Sequence, residues 1–248
     1  MQFGICNLSI VPLRIESSDR SEMVSQLIYG DLFEIIESKK NWSKIRLHFD
    51  SYEGWVDNKQ FVPISEADFL KLKNEPTSYS ADLIDYVSAE TGLIPVPIGA
   101  SLNCINFLNH QYEGNTLSGT KNKSNLVETA FLYLNAPYLW GGKTPFGIDC
   151  SGFTQMVYKL NGYSLLRDAS LQATQGDALS FIEESEPGDL AFFDNEESVI
   201  THVGIIMKDN YIIHAHGKVR IDRLDHHGIF NPEKQKHTHR LRVIKRIV

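Results

Sequence analysis

The 248-residue sequence lacks any hydrophobic run that approaches the ~20 residues needed to cross a bilayer. Its first residues, Met1 to Leu13, lack the basic start, the apolar centre and the small-residue cleavage site of a secretory signal. The sequence as it stands is therefore expected to be soluble and cytoplasmic. A form exported with a leader that is later removed would have the same mature sequence.

Cysteine and excess basic charge are also scarce. The three cysteines, Cys6, Cys104 and Cys150, lie far apart and form no CxxC pair. Neither a disulfide framework nor a cysteine zinc site is expected, and a reducing compartment fits this pattern best. The net charge of −7 disfavours nucleic acids and anionic membranes as partners. The length suits one large or two ordinary domains, and 42% hydrophobic residues suffice for a packed core.

The most informative stretch is a glycine-rich loop, residues 138–149, that ends in Cys150. The residues after it have helical apolar spacing, which Phe153, Met156, Val157 and Leu160 carry. Cys150 is thus predicted at a helix start, where unpaired N–H groups and the helix dipole favour a thiolate nucleophile. The alternative is that Cys150 is a small buried hydrophobe. The glycines, with Asp149 before the cysteine and Ser151 after it, favour the functional interpretation.

Residues 1–64 show short strand patterns separated by close turns. Leu32–Glu37 mixes apolar and acidic residues, Trp42–Leu47 alternates with period two, and Tyr52–Val56 is a further short strand. Strands of this length predict a small β-barrel.

Residues 65–124 are predicted to connect the two better-defined parts of the chain. Ala67–Lys73 has the pattern of a short helix that ends before Pro76. Tyr112–Gly114 repeats the letters of Tyr52–Gly54, so a degenerate second barrel-like unit is an open alternative.

From residue 125 the sequence predicts helices first and antiparallel strands later, which indicates an α+β domain. Asn125 is predicted to cap a helix whose buried stripe is Val127, Ala130, Phe131 and Leu134. The helix that begins near Cys150 is predicted to run to Leu160. The predicted strands are Leu190–Phe193, Thr201–Met207, Tyr211–Ala215, Val219–Leu224 and Leu241–Val248.

Two histidines on a predicted hairpin supply what a cysteine nucleophile needs. His202 begins one strand and His214 lies near the end of the next, with a turn at 208–210 between them. Antiparallel pairing would bring both to the same end of the hairpin. His202 would then face Cys150 as the base, and His214 behind it would fix its tautomer. Each histidine taken singly is more often structural; the joint pattern favours catalysis.

Three short histidine groups raise the question of zinc, namely His214–His216, His226–His227 and His237–His239. None contains a cysteine and no HExxH occurs, so neither a metal nor another cofactor is expected. The last group lies among basic residues and is interpreted as a solvated loop.

The second half of the chain, residues 125–248, resembles the NlpC/P60 family of cysteine peptidases. Six blocks in order carry the resemblance: Tyr138–Gly142, Asp149–Phe153, Arg167–Ala169, Pro187–Phe193, Thr201–Ile205 and Tyr211–Ala215. The resemblance implies a papain-like catalytic domain in which Cys150 is the nucleophile, His202 the base and His214 the orienting third residue.

Residues 1–64 resemble a bacterial SH3 (SH3b) domain through Leu13-Arg14, Ser25–Asp31, the strand of Trp42 and Tyr52–Val56. An SH3b domain followed by this catalytic half is similar to the γ-D-glutamyl-L-diamino acid endopeptidases, also called dipeptidyl-peptidase VI. These enzymes trim cell-wall peptides that have a free N-terminal L-Ala-γ-D-Glu.

The same resemblance implies a substrate pocket. Asp168 would pair with the substrate amine, Tyr52 would close the pocket, and Ala169 stands where some members have serine. The predicted substrate-binding residues are Asp168, Tyr52, Asp149, Ser151, Ala169 and Trp140.

The predicted function is hydrolysis of the γ-D-glutamyl–diamino acid bond in free murein peptides, by a monomer that needs no cofactor. One alternative is a D,L-endopeptidase or amidase that acts on intact peptidoglycan. The other is a non-catalytic wall-binding protein whose SH3b part is the operative half.

Overall fold

The computed structural model describes residues 2–248 and divides into two compact units. The first contains residues up to Gly119 together with Trp140–Pro145, and the second contains Thr120–Leu139 and Phe146–Val248. Within the described residues, no helix is both long and apolar enough to cross a membrane. The three-part domain division made from the sequence stays a prediction.

A seven-stranded antiparallel sheet forms the first part of the first unit. Its strands are β1 (Gln2–Ile5), β2 (Ile10–Arg14), β3 (Met23–Ile28), β4 (Leu32–Ser38), β5 (Trp42–Leu47), β6 (Glu53–Asp57) and β7 (Val62–Ile64). They follow the order β3-β2-β6-β5-β4-β1-β7. The apolar side of β5, Ile45 and Leu47, is buried with Phe33 and Val56 in one core, as its period-two pattern predicts. The predicted small all-β region is confirmed.

The rest of the first unit consists of one helix and short strand pairs. Helix α1 (Glu66–Asn74) confirms the helix predicted here, and its N-cap Ser65 accepts a hydrogen bond from the backbone N–H of Asp68 at 3.1 Å. The strands are β8 (Ser78–Ser80), β9 (Ile84–Ala89), β10 (Gly92–Pro97) and β11 (Thr116–Ser118). Strand β9 pairs with β10, and β8 pairs with β11. The second SH3-like unit suggested for this region stays a prediction.

The second unit begins with helices, as predicted. They are α2 (Asn125–Phe131), α3 (Cys150–Leu160) and α4 (Ala169–Gln172). All residues of α3 are buried, including the apolar stripe predicted from the sequence. The stripe predicted for α2 is confirmed at Ala130, which is buried, and wrong at Phe131 and Leu134, which are exposed. Leu126 and Tyr133 are buried in their place, and Val127 is half-buried. The helix ends at Phe131, so Leu134 lies beyond its regular turn geometry.

The antiparallel sheet of the second unit closes on itself. The short strands β12 (Lys143–Thr144) and β13 (Gly147–Ile148) precede it. Its strands are β14 (Asp177–Leu179), β15 (Leu190–Asp194), β16 (Ile200–Ile206), β17 (Tyr211–His216), β18 (Lys218–Asp225), β19 (Gly228–Asn231) and β20 (Lys236–Arg246). Their order is β14-β20-β15-β16-β17-β18-β19, and β19 also pairs with β20. Helix α3 packs against β16 and β17, so the predicted α+β fold class is confirmed.

Candidate active site

Cys150 is the first residue of α3 and is only 6% exposed. The preceding residue fixes the helix start, because the side chain of Asp149 accepts a hydrogen bond from the backbone N–H of Gly152 at 2.6 Å. The Cys150 Sγ lies 4.0 Å from the carbonyl oxygen of Thr201 on β16. The sulfur therefore lies against the strand that carries His202.

A buried ion pair supports this helix start. Arg167 is 1% exposed and binds Asp149 through two parallel contacts, Nη2 to Oδ2 at 2.6 Å and Nη1 to Oδ1 at 3.0 Å. Its Nη1 also donates to the Ser151 hydroxyl at 3.0 Å. The structure thus places Asp149 and Ser151 in a buried network, and their predicted contact with substrate stays a prediction.

The two hairpin histidines lie together. The Nε2 of His202 is 2.8 Å from the Nδ1 of His214, and the two ring planes are nearly perpendicular. Side chains alternate along a strand, so His202 shares a face of β16 with Ile206, and His214 shares a face of β17 with Ile212. Ile206 and Ile212 belong to the apolar core of the closed sheet. The histidine pair therefore lies at one end of that core, where both rings are buried.

A glycine makes this approach possible. Gly204 lies directly opposite His214 in the pairing of β16 with β17. A Cβ on Gly204 would lie 2.9 Å from the Cβ of His214 and 2.7 Å from the Cδ1 of Ile212. Close-packed interiors leave no room for contacts of that kind. Glycine two residues after His202 thus allows the strands to hold the ring pair.

Behind the pair lies a carboxylate that the sequence analysis missed. The His214 Nε2 is 3.0 Å from Oδ2 of Asp222, which is 2% exposed on β18. Arg220 holds the same carboxylate, with Nε 2.8 Å from Oδ2 and Nη2 3.0 Å from Oδ1. A hydrogen-bonded chain therefore runs from His202 through His214 to Asp222.

Further rings surround His202. The interpretation of residues 237–239 as a solvated loop is wrong, because they lie on β20 and His239 is half-buried. His239 stacks on His202 with ring centroids 4.2 Å apart, and His216 packs edge-on against His239. Phe193 contacts both His202 and His239. Burial lowers the pKa of His239 to about 3, with the charges of His214 and His216 acting in the same direction, so this ring is neutral.

Tyr138 is another neighbour outside the predicted set. Burial raises the pKa of its phenol, and the charges of Cys150 and Asp149 raise it further, so Tyr138 lies within electrostatic reach of the sulfur as a neutral hydroxyl.

The charge state of the sulfur differs from the expectation. Burial and, after it, the charge of Asp149 together raise the pKa of Cys150 to about 12, while Arg167 and backbone hydrogen bonds from Val203 and Ser151 only partly oppose them. Burial also lowers the pKa of His202 well below its ordinary value. The predicted resting thiolate is therefore wrong, because desolvation at the fully buried start of α3 outweighs the helix dipole. The resting pair is a thiol and a neutral imidazole.

Alkylation of Cys150 by iodoacetamide should therefore rise steeply with pH. Only the thiolate reacts, so below a pKa of about 12 the rate should increase about tenfold per pH unit. At pH ~7 the rate should be at least about tenfold below that of free cysteine, whose pKa is about 8.5. Mass spectrometry of the peptide that contains Cys150 measures it, with glutathione as the control. A plateau below pH ~8 would indicate a resting thiolate instead.

The remaining predicted site residues lie in both units. In the second unit, half-buried Asp168 precedes α4 and Ala169 is its buried first residue. In the first unit, Tyr52 packs against the apolar core, and Trp140 is 59% exposed with its Nε1 donating to Glu22 at 2.6 Å. Their roles in substrate binding stay predictions.

One group of possible metal ligands occurs among residues 2–248. Asp225, His226 and His227 place ligand atoms within 4.8 Å of one another at the turn between β18 and β19. His226 and His227 are exposed, and the Asp225 carboxylate already accepts a hydrogen bond from the Nε2 of His237 at 2.9 Å. This turn is separate from the chain of residues that leads to His202.

Comparison with known proteins identifies both parts of the chain. Residues 135–240 match the sequence profile of the NlpC/P60 family, and residues 13–61 match that of the bacterial dipeptidyl-peptidase SH3 domain. The chain contains an NlpC/P60 domain and a bacterial SH3 domain. The predicted resemblance to the NlpC/P60 family of cysteine peptidases is confirmed.

Two relatives cover most of this chain. Dipeptidyl-peptidase 6 of Lysinibacillus sphaericus is 29% identical over a gapped alignment of 248 positions, which covers 86% of this chain and 88% of that protein. A gamma-D-glutamyl-L-lysine dipeptidyl-peptidase of Bacillus cereus is 26% identical over 231 aligned positions, which cover 80% of this chain and 68% of that protein. A crystal structure of an NlpC/P60 family protein from Bacillus cereus matches with a TM-score of 0.79 at 19% identity over 99% of both chains, which shows a shared fold.

Proposed function

We propose that this protein is a cysteine endopeptidase that hydrolyses the bond between γ-D-glutamate and a diamino acid in murein peptides with a free N-terminal L-alanine. The observation that carries the proposal is the hydrogen-bonded pair of His202 and His214. The sulfur of Cys150 lies against β16, the strand on which His202 lies. The names of the two relatives support the choice of bond, since one is a gamma-D-glutamyl-L-lysine dipeptidyl-peptidase and the other a dipeptidyl-peptidase.

The first half of the reaction adds the sulfur to the substrate carbonyl. His202 takes the proton of the Cys150 thiol as the sulfur attacks the γ-carbonyl carbon, so a C–S bond forms and the carbonyl electrons move to its oxygen. The backbone N–H of Cys150 at the start of α3 is our candidate donor to that oxyanion. Because the resting pair is neutral, proton transfer accompanies attack and does not precede it.

The second half releases both products. His202 gives its proton to the nitrogen of the diamino acid as the C–N bond breaks, which frees that amine and leaves the dipeptide as a thioester. A water molecule then loses a proton to His202 and attacks the thioester carbon. The C–S bond breaks, the sulfur recovers the proton from His202, and L-Ala-γ-D-Glu leaves as a carboxylic acid that loses its proton to the solvent.

Selection for a free amine is assigned to Asp168. Its half-buried carboxylate follows the buried Arg167 and precedes α4, which packs against β16, the strand that carries His202. A carboxylate in this setting pairs well with an ammonium group and poorly with an acetylated amine.

Mass analysis of the products from L-Ala-γ-D-Glu-diaminopimelate tests the proposal. We expect the dipeptide L-Ala-γ-D-Glu and free diaminopimelate, and the corresponding products from the lysine peptide. The N-acetylated peptide should be cut far more slowly, because the ammonium that pairs with Asp168 is lost. A different cleavage position would overturn the proposed bond, and release of fragments from intact sacculi would favour an enzyme of the intact wall.

The matched variants for this assay are Asp168→Asn and Asp177→Asn. The first should lower kcat/KM for the free-amine peptide by roughly 30-fold or more, the usual result of removing one partner of a desolvated charge pair. The second changes an exposed aspartate on β14 and should leave the rate unchanged. Equal cleavage of free and acetylated peptides by the natural sequence would show that Asp168 does not bind the amine.

A further inference from the structure

We propose that Asp222 is a positioning residue that fixes the protons of both histidines, so that His202 presents a bare Nδ1 to the thiol of Cys150. The inference rests on the proposed function, because it concerns the base of that reaction. It is carried by the hydrogen bonds that join Asp222, His214 and His202 in one buried chain.

The chain starts from an ionised carboxylate. Burial alone would raise the pKa of Asp222, but the hydrogen bonds from His214 and Arg220 outweigh burial and bring the pKa below its usual value. An ionised carboxylate only accepts hydrogen bonds. The contact of 3.0 Å with the His214 Nε2 therefore requires a proton on that nitrogen.

The proton on Nε2 determines whether the other ring nitrogen of His214, Nδ1, is protonated. Burial lowers the pKa of His214 in spite of the opposing effect of Asp222, so the ring is neutral at pH ~7 and carries one N–H. Its Nδ1 must then be an acceptor. At 2.8 Å from that Nδ1, the His202 Nε2 has to be the donor.

The same reasoning then fixes the tautomer of His202. The ring is buried and its pKa lies well below the ordinary value, so it also carries a single N–H, which is at Nε2. Its Nδ1 keeps a free electron pair for the thiol proton. With the other tautomer, Nδ1 would be a donor and His202 would have no base to offer Cys150.

Arg220 indicates that this role is orientation and not charge. Its guanidinium lies 2.8 Å from the Asp222 carboxylate and balances its negative charge, so the pair adds little net field at the distant ring of His202. The arginine also keeps the carboxylate ionised and in place. Asp222 therefore acts on His202 only through the order of donors and acceptors in the hydrogen bonds that join them.

Nitrogen-15 NMR of the full chain with labelled histidine tests the proposal without substrate. In the natural sequence, His202 and His214 should each show a protonated Nε2 and an unprotonated Nδ1 at pH ~7.5. The two spin systems are assigned by their loss in His202→Gln and His214→Gln. A protonated Nδ1 on His214 would overturn the proposal, and this result would not bear on which peptide bond is cut.

Asp222→Leu is the matching variant. It leaves the His214 Nε2–H buried without an acceptor, which costs more than a ring nitrogen without a donor, so the proton should move to Nδ1 and both tautomers should reverse. We expect kcat to fall by about 100-fold with KM changed by less than about threefold, because the base is lost and binding is not. Asp177→Leu, which changes an exposed carboxylate on β14, is the control and should change neither quantity.

Each combination of activity and tautomer measured for this variant either supports or overturns the proposal. Lost activity with reversed tautomers supports the role of Asp222. Lost activity with unchanged tautomers would indicate a merely structural residue and overturn it, as would retained activity. If the natural sequence cleaves no γ-D-glutamyl peptide, the proposed function fails while the NMR result stands or falls independently.

Discussion

Replacing Cys150 with serine is expected to abolish peptide hydrolysis, lowering kcat/KM by at least about 10³-fold. The serine oxygen is smaller than sulfur and fits the same buried position, but its proton is held far more tightly. The neutral imidazole of His202, whose pKa burial has lowered, cannot remove that proton at a useful rate. Release of the diamino acid from L-Ala-γ-D-Glu-diaminopimelate, followed by mass spectrometry, measures the loss.

Two controls separate chemistry from folding. Cys104→Ala removes another buried free thiol, in the first unit, and should keep cleavage. Cys150→Ala should still bind the peptide in a calorimetric titration, because alanine removes only the reacting atom. If Cys150→Ser kept more than about a tenth of the rate, another nucleophile would have to be sought. If Cys150→Ala neither bound nor cut, the variant would report on folding alone.

Among the substitutions described here, Arg167→Met is expected to lower the free energy of unfolding the most. It leaves the carboxylate of Asp149 buried without its bidentate partner, and removing one member of a buried pair costs about 3–5 kcal/mol. The free energy of unfolding of the second unit, measured by urea denaturation, should fall by that amount. The control is Arg46→Met, whose pair with Glu53 is exposed and should cost less than about 1 kcal/mol.

The same variant has a chemical effect that a packing defect would not produce. Arg167 lowers the pKa of Cys150 and Asp149 raises it, so removing the arginine should raise that pKa further and slow alkylation of the sulfur. Adding Asp149→Asn to Arg167→Met removes the unpaired charge and should restore part of both properties. If Arg167→Met were as stable as the natural sequence, the pair could not be what holds the start of α3.

Features with a local physical cause were predictable from the sequence. The helix of Cys150 follows from apolar spacing and a capping aspartate, and the approach of His202 to His214 follows from a hairpin whose turn lies between them. Strand periodicity gave the all-β first part, because each strand buries one face in a single core. These signals lie within a few residues of the elements that they describe.

Features that depend on distant packing were not predictable. Asp222 reaches His214 diagonally across β17 and β18, where Arg220 is the residue directly opposite. In the sequence, Asp222 is only an aspartate eight residues after His214, across a tight turn. Without the register of β17 with β18, that spacing does not show that the two side chains meet. His239 arrives from β20, whose pairing with β19 shifts by a residue between Ile229 and Phe230.

The resting charge of the sulfur shows the same limit. Local sequence places Cys150 at a helix start and so suggests a stabilised anion. The helix is buried along its whole length, even at Gln155 and Lys159, because other elements pack around it. That burial is a property of the folded unit, and it reverses the expected direction of the pKa.

Gly204 takes no part in the chemistry, yet it tolerates substitution as little as the residues that do. Any side chain there would push the imidazole of His214 away from that of His202, because the space between the two backbones is too small for one methyl group. In a redesign, the rings or the carboxylate could be replaced by other hydrogen-bonding groups, but Gly204 could not be replaced by any residue with a side chain. The orientation of His202 thus depends as much on a missing Cβ as on the groups that hydrogen-bond to it.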